Sequence, residues 1–109
     1  MGTMPMTPDL LACIAERFKV LAEPARLQIL HTLRGGEMHV SDLVEQTGLG
    51  QANVSKHLQL LHAHGFVTRR KEGLYAWYRI TDQSVFKLCD VMCGRLEREA
   101  TRRQKLLTS

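Results

Sequence analysis

Between Ser41 and His64 the chain places two short apolar-striped segments on either side of a three-residue turn, Gly48-Leu49-Gly50. No other feature restricts the fold as strongly. Ser41–Thr47 has room for only a short helix, and Gly48 closes it. Gln51–His64 carries Val54, Leu58 and Leu61 at steps of three and four, the signature of one buried helix face, and Gly65 ends it. A short helix, a tight glycine-containing turn and a second amphipathic helix make a helix-turn-helix.

The flanks complete a small domain. Leu11, Ile14, Phe18 and Leu21 recur at helical spacing, and Glu23-Pro24 ends that helix, because proline cannot continue the hydrogen-bond ladder but suits the first turn of a new one. The second helix, near Pro24–Arg34, turns Leu27, Leu30 and Leu33 inward and stops at Gly35-Gly36. Phe66–Lys71 and Tyr75–Ile80 are β-prone runs around Glu72-Gly73-Leu74 and predict a hairpin. Thr81 or Asp82 can cap a last helix whose stripe is Val85, Leu88/Cys89, Met92 and Leu96, beyond which the chain turns polar and basic and is expected to fray. The fold class is mainly α with a β-hairpin wing, a winged helix-turn-helix. Residues 1–109 form one domain, with 1–8 and 100–109 expected to be flexible. At 44% apolar residues the chain can build its core without disulfides.

Composition excludes several classes. The uncharged stretch Leu58–Thr68 includes His62 and His64 and falls far short of the roughly 20 apolar residues of a membrane span. No Lys or Arg precedes Arg17, as a secretory leader would require, and three cysteines cannot all pair within one chain, so a reducing, cytoplasmic setting is expected. The net charge of +4 is unevenly spread: residues 1–50 carry −2, residues 51–80 carry +4 and residues 81–109 carry +2. A positive field concentrated in the middle of the chain attracts a polyanion such as DNA or RNA. A solvated basic face without a partner is the alternative.

Topography favours DNA. At about 100° per residue, with Val54, Leu58 and Leu61 buried, Ala52, Lys56 and Gln59 point away from the core, and Asn53 and Ser55 flank them. The start of the second helix of a helix-turn-helix meets base edges. Gln51 and Asn53 can pair with adenine, Ser55 can donate or accept, Ala52 can touch a thymine methyl, and Lys56 can reach guanine or phosphate. Arg69, Arg70 and Lys71 precede the hairpin turn and Arg79 follows it. Alternation along the strands prevents all four from facing one way, so two or three are expected to reach phosphate or the minor groove. Tyr75, Trp77 and Tyr78 read as packing residues, His57 as a core-edge histidine, and His62 and His64 as surface.

In this arrangement the chain resembles the ArsR/SmtB family of small bacterial winged-helix repressors, from Phe18 to Cys93, through FKVLAEPARLQILHTL and EMHVSDLVEQTGLGQANVSKHLQLLHAHGFVTRRKEGLYAWYRI. The resemblance implies a homodimer built on the first and last helices, bound to an inverted-repeat operator in a bacterial cytoplasm and released by an inducer. The chain departs from the family's known metal sites. A third-helix pattern like ELCVCDL is replaced by Glu37-Met38-His39-Val40-Ser41-Asp42-Leu43, without either thiol, and no histidine follows His64 to serve a last-helix zinc site. Gly50 stands where a serine often opens the recognition helix, and caps it more weakly.

What remains is sulfur. Cys89 and Cys93 are one turn apart on the last helix, about 40° apart around its axis and about 6 Å along it, so they share a face and can chelate one soft ion. If the first and last helices pack together, as the resemblance implies, Cys13 can add a third sulfur from its own chain or the partner's. Three readings stay open: a small inorganic inducer, either an arsenite-like metalloid or a soft metal; persulfide or oxidant sensing, although His31 stands where relatives carry a second-helix thiol; and cysteines that only pack. Zinc or nickel through the lone His39 is a weaker variant. No cofactor is required for folding. An enzyme is not expected, because a reactive thiol needs a base or a helix N-terminus beside it and Cys89 lies well inside its helix. A winged helix serving only protein contacts would not need the basic wing.

Overall fold

The computed structural model describes residues 4–108. Residues 1–3 and 109, parts of the two ends expected to be loose, lie outside the described residues. The elements are α1 (Pro8–Leu21), α2 (Pro24–Leu33), β1 (Met38–His39), α3 (Val40–Thr47), α4 (Gln51–Ala63), β2 (Val67–Glu72), β3 (Tyr75–Ile80) and α5 (Val85–Thr108). The mainly helical winged helix-turn-helix is therefore present, with two additions. β1 is a two-residue strand that pairs antiparallel with β3, Met38 opposite Tyr78 and His39 opposite Trp77, so the wing is a three-stranded sheet of order β1-β3-β2. α5 continues as a helix to Thr108, twelve residues past Leu96.

Local chemistry sets the boundaries. Thr7 caps α1 by accepting from the Leu10 amide at 3.2 Å, and Pro8 and Pro24 occupy the first turns of α1 and α2. His39 and Asp42 form a reciprocal capping box at the start of α3. Gly48 ends α3 at φ +74°, a left-handed conformation that favours glycine. Asp82, one of the two expected caps of α5, accepts from the Ser84 amide at 2.9 Å, which holds its carboxyl below the usual carboxylate range.

One core lies under the helix-turn-helix: Ile29, Leu30 and Leu33 from α2, Leu43 from α3, Val54, Leu58 and Leu61 from α4, and Val67, Tyr78 and Ile80 from the wing. Val20 of α1 and Phe86 of α5 close it. Two expectations change here. In α2, Ile29 is buried while Leu27 is only half-buried. In α1 and α5 the predicted stripes split: Leu21 and Val85 pack against the core and Ile14 and Cys89 are half-buried, but Leu11 is 51% exposed, Phe18 53%, Met92 63% and Leu96 64%. Each helix gives the core one fully buried residue and leaves an apolar face outside. No described helix is long and apolar enough to cross a membrane.

Candidate nucleic-acid interface

α4 divides cleanly into two faces. Val54, Leu58 and Leu61 are fully buried, whereas Gln51, Ala52, Asn53, Lys56 and Gln59 are exposed and Ser55 is half-buried. All six residues expected to read DNA thus lie on the solvent side of α4 or at its margin. Gly50 caps the helix without a side-chain hydrogen bond.

Cross-links at the back of the helix fix its position. Arg26 of α2 donates from Nε to the Val20 carbonyl of α1 at 2.6 Å, and its Nη1 lies 3.3 Å from Nδ1 of His57. His57 is the core-edge residue expected. At the C-terminal end of α4, Arg17 of α1 donates to the His64 carbonyl at 2.9 Å. His64 is half-buried rather than purely surface: its Nδ1 lies 3.0 Å from the Leu60 carbonyl and its Nε2 4.0 Å from Glu16. Gln28 adds a bond of 3.1 Å to the Thr47 carbonyl at the end of α3. Sequence reasoning missed the roles of Arg17, Arg26 and Gln28, because each bond joins separate elements and leaves no local pattern.

The wing sorts its four cations by strand register. Thr68 stands opposite Arg79, Arg69 opposite Tyr78, Arg70 opposite Trp77 and Lys71 opposite Ala76. Arg69 and Lys71 therefore share one face, while Arg70 and Arg79 share the other with Thr68 and Trp77. Among the described residues Arg69 and Lys71 make no ion pair or side-chain hydrogen bond. Arg79 donates to the Thr68 hydroxyl at 3.1 Å. Arg70 differs from its neighbours: its guanidinium is held by Glu37 at 2.7 Å and by Glu72, so its charge is matched within the chain. Trp77 and Tyr78 pack as expected, half-buried and buried, whereas Tyr75 is exposed and stacks on His39 with ring centroids 5.0 Å apart.

The cysteines are free thiols. Cys13 and Cys93 are exposed and Cys89 is half-buried. Cys93 lies 3.6 Å from Glu97, to which it donates, and that hydrogen bond, with the carboxylate's charge, pushes the thiol's pKa up. Such a thiol is a poorer nucleophile than a cation-flanked one. Among the described residues of one chain, no three His, Cys, Asp or Glu side chains gather as a metal site.

A solvent-facing recognition helix beside a basic three-stranded wing defines a winged-helix DNA-binding protein. The family model for bacterial regulatory proteins of the arsR family matches residues 23–69, from the start of α2 into the wing. The transcriptional regulator KmtR of Mycobacterium tuberculosis is 34% identical over 87 residues, 80% of this chain and 67% of the relative. A homodimeric winged helix-turn-helix DNA-binding domain from Mycobacterium bovis superposes with a TM-score of 0.75 at 32% identity, covering 93% of this chain and 94% of that one. The antimony-specific transcriptional repressor AntR superposes with a TM-score of 0.76 at 28% identity, covering 93% and 92%. The chain belongs to the arsR family of bacterial regulatory proteins. It is a DNA-binding transcriptional regulator and not an enzyme.

Proposed function

We propose that the protein is a homodimeric repressor that binds an inverted-repeat operator in the cytoplasm and leaves it when a thiophilic inducer, an arsenite-like metalloid or a soft metal ion, engages Cys89 and Cys93. The observation that carries the DNA reading is the exposed polar face of α4, Gln51 to Gln59, set beside the unpaired Arg69 and Lys71. Gln51, Asn53 and Ser55 read bases, Ala52 meets a thymine methyl, Lys56 and Gln59 lie along the groove, and Arg69, Lys71 and Arg79 meet phosphate. The outward apolar faces of α1 and α5 support dimerisation, since each is too apolar to stand in water and a second copy offers the matching face.

The inducer acts through the dimer. Cys89 and Cys93 lie on α5, away from the reading face of α4, so their ligand changes DNA affinity by changing how two subunits meet. A tenfold loss of affinity needs about 1.4 kcal/mol of coupling. Two α5 thiols one turn apart suit a soft ion. The antimony-specific relative favours this chemistry. Cys13, from its own chain or the partner's, is the candidate third ligand.

The test is a titration of an inverted-repeat duplex with wild type and a Cys89→Ser/Cys93→Ser protein, in the presence of arsenite, antimonite, cadmium, zinc or a persulfide donor. The expected result is release of the wild type by the first three and not of the double variant. Release of the double variant with full sensitivity would return the cysteines to packing roles.

A further inference from the structure

The root of the wing carries contacts that the DNA-reading side chains do not use. Glu37 lies between α2 and β1, and its carboxylate accepts from both Nε and Nη2 of Arg70 at 3.3 and 2.7 Å. Nη1 of the same guanidinium donates to Glu72. The Arg70 guanidinium also stands 5.8 Å from the Trp77 ring centre, and His39 meets that ring edge-on at 4.8 Å. His39 is the cap of α3: its Nδ1 accepts from the Asp42 amide at 3.3 Å, and its own amide donates to Asp42 at 3.4 Å. The contacts run without a gap from the middle of the wing to the first turn of the helix-turn-helix.

We propose that Glu37 and Arg70 form a clamp that sets the angle of the wing against the helix-turn-helix, making both of them positioning residues for DNA binding rather than DNA contacts. The proposal rests on the reading that the wing meets the DNA backbone through Arg69 and Lys71. Geometry supports a positioning role. A two-toothed guanidinium–carboxylate pair accepts only one relative orientation of its partners, unlike a single-point ammonium contact. Here it joins residues 33 positions apart, the segment before β1 and the middle of β2. Charge supports it as well. Two carboxylates on one guanidinium leave that spot without excess positive charge, the opposite of what a phosphate contact needs. Exposed ion pairs also add little to folding stability, so stabilisation is a poor account of why this one is built.

The clamp and a plain phosphate contact predict opposite signs for one substitution. Glu37→Gln removes a negative charge near DNA and releases Arg70. If Arg70 met phosphate, binding would tighten. If the pair is a clamp, binding to the inverted-repeat duplex weakens by about two- to fivefold, the range of a single well-placed ion pair. The experiment measures affinity against salt for the full-length dimer, well below each variant's unfolding midpoint, with Glu37→Gln, Arg70→Ala, the double variant, Arg69→Ala and Lys71→Ala. The clamp predicts that Glu37→Gln and Arg70→Ala each weaken binding with the salt slope unchanged, and that the double variant is no worse than either single one. Tighter or unchanged binding by Glu37→Gln, losses that add in the double variant, or a slope reduced by Arg70→Ala as a lost phosphate contact reduces it would each overturn the clamp. Arg69→Ala and Lys71→Ala separate the two layers. A lower slope for them sustains the wing reading whatever Glu37 does, and an unchanged slope defeats that reading and the clamp with it.

Discussion

Arg70 holds the Glu37 carboxyl below the usual glutamate range, mainly by hydrogen bonding and further by its charge, with Arg79 contributing. A carboxyl depressed in the folded state stabilises it above the unfolded pKa and loses that contribution as pH falls through the folded value. The sole tryptophan, Trp77, lies against this pair and reports it directly. An acid titration followed by tryptophan emission is expected to show a transition below the ordinary glutamate range that Glu37→Gln lacks; identical curves would separate Trp77 from the clamp. Cys93 shows the opposite shift, raised first by its hydrogen bond to Glu97. In a Cys13→Ser/Cys89→Ser background, Glu97→Gln is expected to move the pH midpoint of Cys93 alkylation downward, and an unmoved midpoint would remove Glu97 from the account. Neither partner choice was legible in the sequence to the same degree. Glu97 follows Cys93 by one helical turn and could be read from spacing. Glu37 meets Arg70 only because β1 brings its segment to the wing, and no window of sequence holds both.

Among the elements, those written in glycine and periodicity were the legible ones. The turn between α3 and α4 is fixed by Gly48 at φ +74°, where an added Cβ finds open space but a strained backbone. Gly48→Ala is therefore expected to destabilise the fold by roughly 1 kcal/mol through backbone conformation alone, read as a lower denaturant midpoint with unchanged slope. Leu58→Ala, at a fully buried position, is expected to lose about 2–5 kcal/mol by the same measurement. β1 escaped the reading because two residues carry no period. The stripes of α1 and α5 were found but not their direction: helical spacing shows that a face is to be covered, and it is the same pattern whether the cover is the chain's own core or another molecule. The basic stretch after Leu96 loses its apolar stripe, which made it look like a frayed end, yet the one-turn pair of Arg95 and Glu99 and the bonds of Thr101 and Thr108 to carbonyls one turn back fit a solvated helix.

For the whole molecule, the outward faces of α1 and α5 make assembly the decisive property. Met92→Glu or Leu96→Glu places a charge on that face without touching the core, and sedimentation is expected to show a monomer that has lost at least tenfold in operator affinity. A dimer that neutralises about six phosphates would lose affinity with a log–log salt slope near −5. Unchanged affinity of a monomer would show that one recognition helix suffices. The ties at the back of α4 give this assembly a mechanical character. Through Arg26 and His57 the middle of the helix is joined to the last turn of α1, and through Arg17 its C-terminal end is joined to the middle of α1. These ties couple the recognition helix to α1, so in the proposed dimer a shift of α1 at the seam carries the reading head with it. A base-pair step is about 3.4 Å, and a slip at the seam that moves one head by that distance puts it on the wrong letter of the operator. In the proposed dimer the molecule is thus a pair of calipers, its jaws on the DNA and its adjusting screw at the far end.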